Sequence, residues 1–404
     1  MTAPDPPSTV IPPPDSLARE APAAVLAALP EARAVGGCVR DALAGLPVHD
    51  VDIAAPLPPE AIVARLRQAG LKVFATGLSH GTVTAVLAHQ PVEVTSLRRD
   101  VATDGRHAEV EWTTDWREDA ARRDFTINAM SLGADGRLWD YFGGCEDLAV
   151  GRVRFVGDPA TRLREDYLRA LRFFRFQARY GSGAPDPAAM AAIRAAVPGL
   201  ARLSAERVWM EIKRLLEAPD PAGAVALMAE AGVLGAVLPE ATELPALARL
   251  VALEAPREPL LRLAALLPAG LETAPLAARL RFSGEEAGRL AAWRGPSPDP
   301  AAAGDDLRRL LAERAGALLA KLAWLAEARG VAGDWAGFRA RVADRPRLDL
   351  PVQGRDVLAL GVPPGPAVGR RLAALRAWWK AGGCNADRAS CLERLRELAA
   401  AGRV

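Results

Sequence analysis

The chain of 404 residues has little with which to hold a metal through sulfur or nitrogen. Its four cysteines, Cys38, Cys145, Cys384 and Cys391, make no CxxC pair and stand beside no histidine, which excludes a disulfide framework and a zinc ribbon. Its four histidines all fall in the first 107 residues, which leaves none for a histidine–aspartate phosphohydrolase metal site in the rest of the chain. Nowhere do about 18 apolar residues run uninterrupted, and the opening MTAPDPPSTVIPPPDS has neither a basic n-region nor an apolar h-region. The expectation is a chain neither exported nor membrane-spanning, at home in a reducing cytoplasm. Neither sign of charge dominates, because 51 basic and 49 acidic residues leave a formal +2. At 50% hydrophobic and 25% charged residues, the composition excludes disordered and collagen-like classes and is ample for two or three cores.

The balance of charge dissolves when counted by segment. Residues 22–150 carry 12 Lys/Arg and 18 Asp/Glu, a net −6, whereas residues 151–217 carry 13 and 7, a net +6. An acidic head is followed at once by a basic segment. The texture changes at the same place. Up to about residue 150, β-like runs (EARAVGG, HDVDIA, KVFATG, TVTAVLA, VEVTSLR) alternate with turns and one helical stretch near 59–69. Beyond 160 the apolar residues recur at three- and four-residue spacing, as in the stripe Leu307, Leu310, Leu311, Leu318, Leu322 and Leu325. This pattern predicts an α+β protein with a small mixed-sheet head followed by an all-α neck, body and tail. The expected divisions are a disordered lead-in at 1–21, a head at 22–155, a helical neck at 156–220, and a body and tail at 221–404.

Two features of the head point to phosphate chemistry. In Ala34-Val-Gly-Gly-Cys-Val-Arg-Asp41 a strand runs into Gly36-Gly37 and then a helix start, which lets backbone amides approach a phosphate, with Arg40 adding positive potential. Asp50 and Asp52 stand two apart, and the period of a strand puts both carboxylates on one face. Such a pair repels unless a hard divalent cation sits between, so the reading is two-metal phosphoryl transfer, the alternative being two surface aspartates at a strand end. Glu93 in Val92-Glu-Val94 supplies a third carboxylate, or else faces solvent from its strand.

These residues resemble the class II branch of the template-independent nucleotidyltransferases, which contains bacterial CCA-adding enzymes and poly(A) polymerases. Gly36-Gly37-Cys-Val-Arg40-Asp41 with Asp50-Val-Asp52 resembles that family's metal and triphosphate motif. Arg122-Arg123-Asp124-Phe-Thr-Ile-Asn128-Ala is similar to its motif for the nucleotide sugar and phosphates, and Tyr141-Phe-Gly-Gly144 with Asp147 to its hinge. Arg164-Glu-Asp166-Tyr-Leu-Arg169-Ala-Leu-Arg172 resembles its nucleobase-selecting helix, and Ser204-Ala-Glu-Arg207 opens the next neck helix.

The resemblance implies nucleotide binding by Gly36, Gly37, Arg40, Arg122, Arg123, Asp124, Asn128, Asp166, Arg169 and Arg172. It implies catalysis at Asp50, Asp52 and Glu93, with Mg²⁺ held by the two aspartates, and RNA contacts from Arg207 and Lys213. Arg122 and Arg123 suit triphosphate oxygens, and Asp124 the ribose 2′-hydroxyl, with the third metal ligand as its alternative role. Cytosine and adenine both present an amino donor beside a ring-nitrogen acceptor. An acceptor Asp166 and a donor Arg169, three apart on a helix, therefore match C or A and mismatch G or U at about 1–3 kcal/mol per buried group. The bland alternative is a solvated helix pair.

The stretch 98–123, with Asp104-Gly-Arg-His107 at its centre, resembles the family's mobile loop. His80 and His107 are expected to be structural or to bind a backbone, Cys38 to be packed, and Phe173, Phe174 and Phe176 to be core. Leu78–Val86 and the segment from Gly354 to Gly369 are more similar to CCA-adding enzymes than to poly(A) polymerases. The implied activity is addition of C, C and A to the tRNA 3′ end from CTP and ATP, with tRNA read by shape. A poly(A) polymerase, a C-only or A-only specialist, and an RNA-binding protein with an inactive head are the alternatives.

Overall fold

The computed structural model describes residues 6–77, 81–103 and 108–401. His80 and the centre of the 98–123 stretch, Asp104 to His107, lie outside the described residues. The chain divides into two compact units, Met1–Pro239 and Glu240–Val404.

The strands of the first unit are β1 (Thr9–Val10), β2 (Arg33–Val35), β3 (Ile53–Ala55), β4 (Lys72–Gly77), β5 (Thr82–Leu87), β6 (Gln90–Ser96), β7 (Arg98–Thr103), β8 (Ala108–Trp112), β9 (Met130–Leu132) and β10 (Arg137–Asp140). Eight form a mixed sheet in the order β1-β10-β9-β2-β3-β6-β5-β4, and β7 pairs with β8 apart from it. Every expected β-like run of the head is a strand. The helices of this part are α1 (Asp15–Ala18), α2 (Glu20–Ala28), α3 (Gly37–Leu43), α4 (Pro59–Gln68), α5 (Trp116–Ala121) and α6 (Gly144–Ala149). Val25 and Leu26 of α2 and Ile62 and Leu66 of α4 bury against Ile53, Val83, Val92 and Val94 on one sheet face. On the other face Val35, Ala54 and Leu97 lie under Trp116 of α5.

The β3–β6 pairing is parallel, with Ile53 opposite Val94. Stepping back one residue on both strands brings Asp52 beside Glu93, on the face away from α2 and α4. Val51 and Ile53 are buried while Asp50 and Asp52 are exposed, so the alternation read from the sequence holds just ahead of the strand proper.

The expected disordered lead-in is in part ordered. Thr9 and Val10 add to the sheet edge opposite Leu138 and Arg137, and Leu17 and Ala21 are buried in the head core. The two apolar side chains give α1 and α2 a face to bury, which the proline-rich composition around them conceals.

The rest of the first unit is helical: α7 (Pro159–Glu165), α8 (Leu168–Tyr180), α9 (Pro187–Ala196), α10 (Ala205–Leu216), α11 (Ala222–Glu230) and α12 (Val233–Val237). α8 packs on α10 and α11. Its Phe173 stacks on Phe155 at 6.1 Å, and Phe125 meets Phe155 at 4.9 Å and Phe176 at 5.1 Å. The three phenylalanines of α8 are therefore core. The unit boundary falls at 239/240 rather than near 220, because buried Val225 and Met228 of α11 bind it to the first unit.

The second unit is helical from Leu244–Ala252 to Arg388–Ala401. One of its cores gathers Leu319, Trp335 and Phe338, and another Val357, Leu375, Cys391 and Leu395. The stripe from Leu307 to Leu325 belongs to two helices, Gly304–Glu313 and Gly316–Ala328, not one. None of the described helices is long and apolar enough to cross a membrane.

Candidate active site

Gly36 turns the chain from β2 into α3 with φ +72° and ψ −126°, a conformation open to glycine alone. A Cβ there would also stand 2.9 Å from Nη1 of Arg123. Asp52 lies just ahead of the adjoining strand β3, its backbone oxygen accepting from Val35 N at 2.9 Å. The Asp52 carboxyl is held above its ordinary value of 3.8, first by loss of water, then by Glu93, with a smaller push from Asp50 and an opposing pull from Arg123. Asp52 is exposed, yet the surrounding protein still withholds part of its water. Glu93 and, more weakly, Asp50 thus act on Asp52. Among the described residues no three acidic, histidine or cysteine side chains are already drawn into a cage. Like-charged carboxylates repel one another, and an all-oxygen set on one face fits a hard divalent ion.

The paired arginines are held by a residue the sequence reading passed over. Asp119 on α5 is 2% exposed, and it accepts from Arg122 Nε at 2.9 Å and from Arg123 Nη2 at 3.2 Å. Burial alone would raise its carboxyl, but Arg123 and Arg122 hold it below the ordinary value. The signal was available: an acidic residue three and four positions before Arg122-Arg123 on a helix. α5 is itself fixed through Trp116, over which the Arg33 guanidinium lies at 4.2 Å while also stacking on Trp139 at 3.5 Å.

Asp124 is buried and fully engaged. Its Oδ1 accepts from Phe125 N and Asn128 Nδ2, both at 2.9 Å, and its Oδ2 from Arg172 Nε at 2.7 Å, with Arg172 Nη2 in ion-pair contact at 2.5 Å. Burial pushes this carboxyl up, and Arg172 and Asn128 hold it down. A carboxylate offers about four lone-pair sites, so a ribose hydroxyl would have to displace one of these donors. Asn128 in turn accepts from Arg40 Nη1 at 2.5 Å. Arg40, expected as a phosphate-facing cation, is buried as a strut between α3 and the helices beyond.

Asp166 and Arg169 do not share a helix. Asp166 is extended, with φ −155°, in the break between α7 and α8. Its Oδ1 accepts from Leu168 N at 3.0 Å, starting α8, and its Oδ2 accepts from Arg207 Nη2 at 2.6 Å. Tyr167 beside it packs so closely on Gly199 that a Cβ there would lie 2.1 Å from the ring. Arg169 pairs with Glu165 and donates to the Arg162 carbonyl at 3.1 Å. A polar side chain that can form its own N-cap ends α7 there, which helical spacing alone cannot foresee.

The Gly36 turn, the arginines, Asp124 and Asp166 meet in one cavity of about 470 Å³, lined by Gly36, Gly37, Arg40, Arg122, Arg123, Asp124, Asn128, Asp166, Leu168, Arg169, Arg172, Arg175, Phe176, Arg207 and Arg214; Asp50, Asp52 and Glu93 are not among its lining. Every residue expected at the nucleotide is there. Eight arginines face two aspartates across it, a surplus that suits a polyanion. Arg207, expected at RNA, lines this cavity, paired with Asp166; Lys213 does not line it, and Arg214 does. Arg175 lies 2.9 Å from the buried Glu211, misaligned for a hydrogen bond. A smaller cavity of about 270 Å³ shares Arg40, Arg175, Phe176 and Arg214 and adds Arg179 and Tyr180.

The hinge motif is knitted to this site from below. Asp147, fully buried, accepts from Thr126 Oγ1 at 2.5 Å, Arg152 Nε at 2.5 Å and Arg154 Nε at 2.9 Å. Cys38 is packed, and burial pushes its thiol up to about 11.

Residues 32–154 match the family model described as the poly A polymerase head domain, and residues 184–244 that of the probable RNA and SrmB-binding site of polymerase A. Over 189 residues the chain is 51% identical to the mitochondrial CCA tRNA nucleotidyltransferase 1 of Danio rerio, covering 46% of this chain and 44% of that protein. Over 196 residues it is 40% identical to the CCA-adding enzyme of Lacticaseibacillus paracasei, covering 47% of each. The matched part is thus less than half of the length of these relatives. The crystal structure of the Bacillus stearothermophilus CCA-adding enzyme in complex with CTP is similar over 93% of this chain and 96% of its own, with TM-score 0.75 and 29% identity.

Proposed function

We propose that this chain, which is similar to CCA-adding enzymes and carries a match to the poly A polymerase head domain, adds C, C and A to the 3′ end of tRNA from CTP and ATP. Pyrophosphate is the second product, and no nucleic-acid template directs the choice. The observation that carries this reading is the single cavity joining the Gly36 turn, the paired arginines and the Asp166–Arg169 break, beside the carboxylates of Asp50, Asp52 and Glu93.

The terminal 3′-hydroxyl of the RNA attacks the α-phosphate of the bound nucleotide, and the bond to pyrophosphate breaks. Arg122 and Arg123, pre-oriented by Asp119, neutralise the triphosphate while the Gly36-Gly37 turn brings backbone amides close to it. Asp166 accepts from the exocyclic amino group of C or A, and Arg169 donates to the adjacent ring nitrogen. Asp124 acts on the nucleotide chiefly through Arg172 and Asn128, which it holds. Asp50, Asp52 and Glu93 would hold Mg²⁺, which when bound activates the hydroxyl and stabilises the leaving charge. The arginines of the neck and the second unit suit the phosphate backbone of tRNA, read by shape.

The test is incubation with tRNA lacking one, two or three terminal nucleotides and each labelled nucleotide in turn. Stepwise C, C, A addition that stops is the expected result. An open-ended A tail would make this a poly(A) polymerase, C-only or A-only addition a specialist, and RNA binding without incorporation an inactive head.

A further inference from the structure

Six side chains close a ring that leaves α8 and returns to it. Arg172 on α8 donates to Asp124, to which Asn128 also donates at 2.9 Å, and Arg40 donates to Asn128 at 2.5 Å. Arg40 then donates from Nε at 3.0 Å and Nη2 at 2.9 Å to Oδ1 of Asp41, the carboxylate next to it on α3. The same oxygen accepts the hydroxyl of Tyr180 at 2.6 Å, back on α8. The Arg40 guanidinium also lies over the Tyr180 ring at 4.4 Å and the Phe176 ring at 5.1 Å.

The two points of attachment on α8 are eight residues apart, about 12 Å along the axis. Packing on α10 and α11 holds α8 in place, and one polar tie constrains its tilt at a single point only. A second tie at that distance fixes its tilt. Asp166 and Arg169 stand on the far side of Arg172 from Tyr180, so a pivot about the Arg172–Asp124 pair would swing them across the cavity. We propose that Tyr180 and Asp41 are positioning residues that set the tilt of α8, and through it the discrimination of C and A from U and G. Neither residue is required to touch the nucleotide base. The hydroxyl of Tyr180 does the work, since the ring is already packed against Arg40 and Phe176.

This inference rests on the nucleotidyltransferase reading and deepens it. The test pairs two measurements on Tyr180→Phe, Asp41→Asn and the double variant of the full chain. The first is direct binding of CTP, ATP, UTP and GTP; the second is kcat/KM for each nucleotide with tRNA lacking its terminal residues. Tyr180→Phe is expected to lower the CTP-over-UTP and ATP-over-GTP ratios about tenfold, in keeping with loss of a hydrogen bond to a charged acceptor. The change should enter through a lower KM for the wrong nucleotides, and thermal unfolding should remain close to wild type. The double variant should be no less selective than the worse single one, because both remove the same tie. Unchanged ratios in Tyr180→Phe and Asp41→Asn, or fully additive losses, would overturn the proposal. Wild-type chain that binds CTP over UTP but incorporates neither C nor A would overturn the activity instead, while the binding ratios would still judge the tie.

Discussion

Oδ2 of Asp166 accepts a hydrogen bond from Nη2 of Arg207 at 2.6 Å, across the gap between the start of α8 and α10. The acceptor proposed to read the base is therefore aimed by an arginine from another helix. Arg207→Ala should leave Asp166 to swing on its remaining bond to Leu168 N, lowering discrimination against UTP about tenfold in nucleotide-competition assays. Arg207→Lys should recover part of it. Equal selectivity in the alanine variant would show that Asp166 is held by its cap alone.

Asp119 is the buried counter-charge of Arg122 and Arg123, so Asp119→Ala leaves two arginines without their partner. Removal of one member of a buried pair costs about 3 kcal/mol, and the loosened arginines should raise the KM for nucleotide more than they lower kcat. Denaturant unfolding and steady-state kinetics on the same preparation check both halves.

The same carboxylate gives a pH signature. Asp119 and Asp124 are held below the ordinary value of 3.8 in the folded chain, so the stability they lend is present above that value and is lost as pH falls through their lower folded values. In Asp119→Asn the stability gap to wild type should shrink on acidification below about pH 4, because protonation removes from wild type what the substitution has already removed. A gap constant from pH 7 to pH 3 would contradict this assignment.

For the carboxylate group, Asp52→Ala should abolish incorporation while tRNA binding by gel shift remains. Glu93→Gln should fall nearly as far, because Glu93 is the residue whose charge presses most on Asp52. Asp124→Asn should instead weaken nucleotide binding and stability together, since Arg172 and Asn128 lose their anchor. Chelation should stop incorporation, and Mg²⁺ should restore it in wild type alone among these three carboxylate variants and wild type, to full rate.

Gly36→Ala meets two obstacles, a positive φ and Arg123 Nη1 at 2.9 Å. Backbone strain of this kind costs about 1–3 kcal/mol, and displacement of Arg123 adds a loss of triphosphate affinity. Gly45→Ala shares a positive φ, +66°, but meets no atom within 4 Å, so it should lose stability without losing affinity.

Much of this protein was legible in order along the chain. Period-two alternation put Asp50 and Asp52 on one side of the chain just ahead of β3 and Glu93 on the matching face of β6, the Gly36-Gly37 turn announced a helix start, and the shift of periodicity near residue 160 marked the passage to helices. Each is a local property, set by a few neighbouring residues and the geometry of the backbone. The lead-in was misread because Leu17 and Ala21 take their place in the core only when the sheet is present to receive them.

What the sequence by itself determined is the inventory: which carboxylates, arginines and glycines stand at positions fit for phosphoryl transfer, and in what secondary structure most of them sit. Tertiary structure alone decided their partners. It moved Asp166 out of the helix and onto Arg207, turned Arg40 inward to Asn128, gave Asp119 the task of holding Arg122 and Arg123, and brought Tyr180 to Asp41 across 139 positions of sequence. The physical reason is that a buried charge must find its counter-charge wherever the packed elements bring one within about 3 Å, and that meeting has no period to be read along a chain.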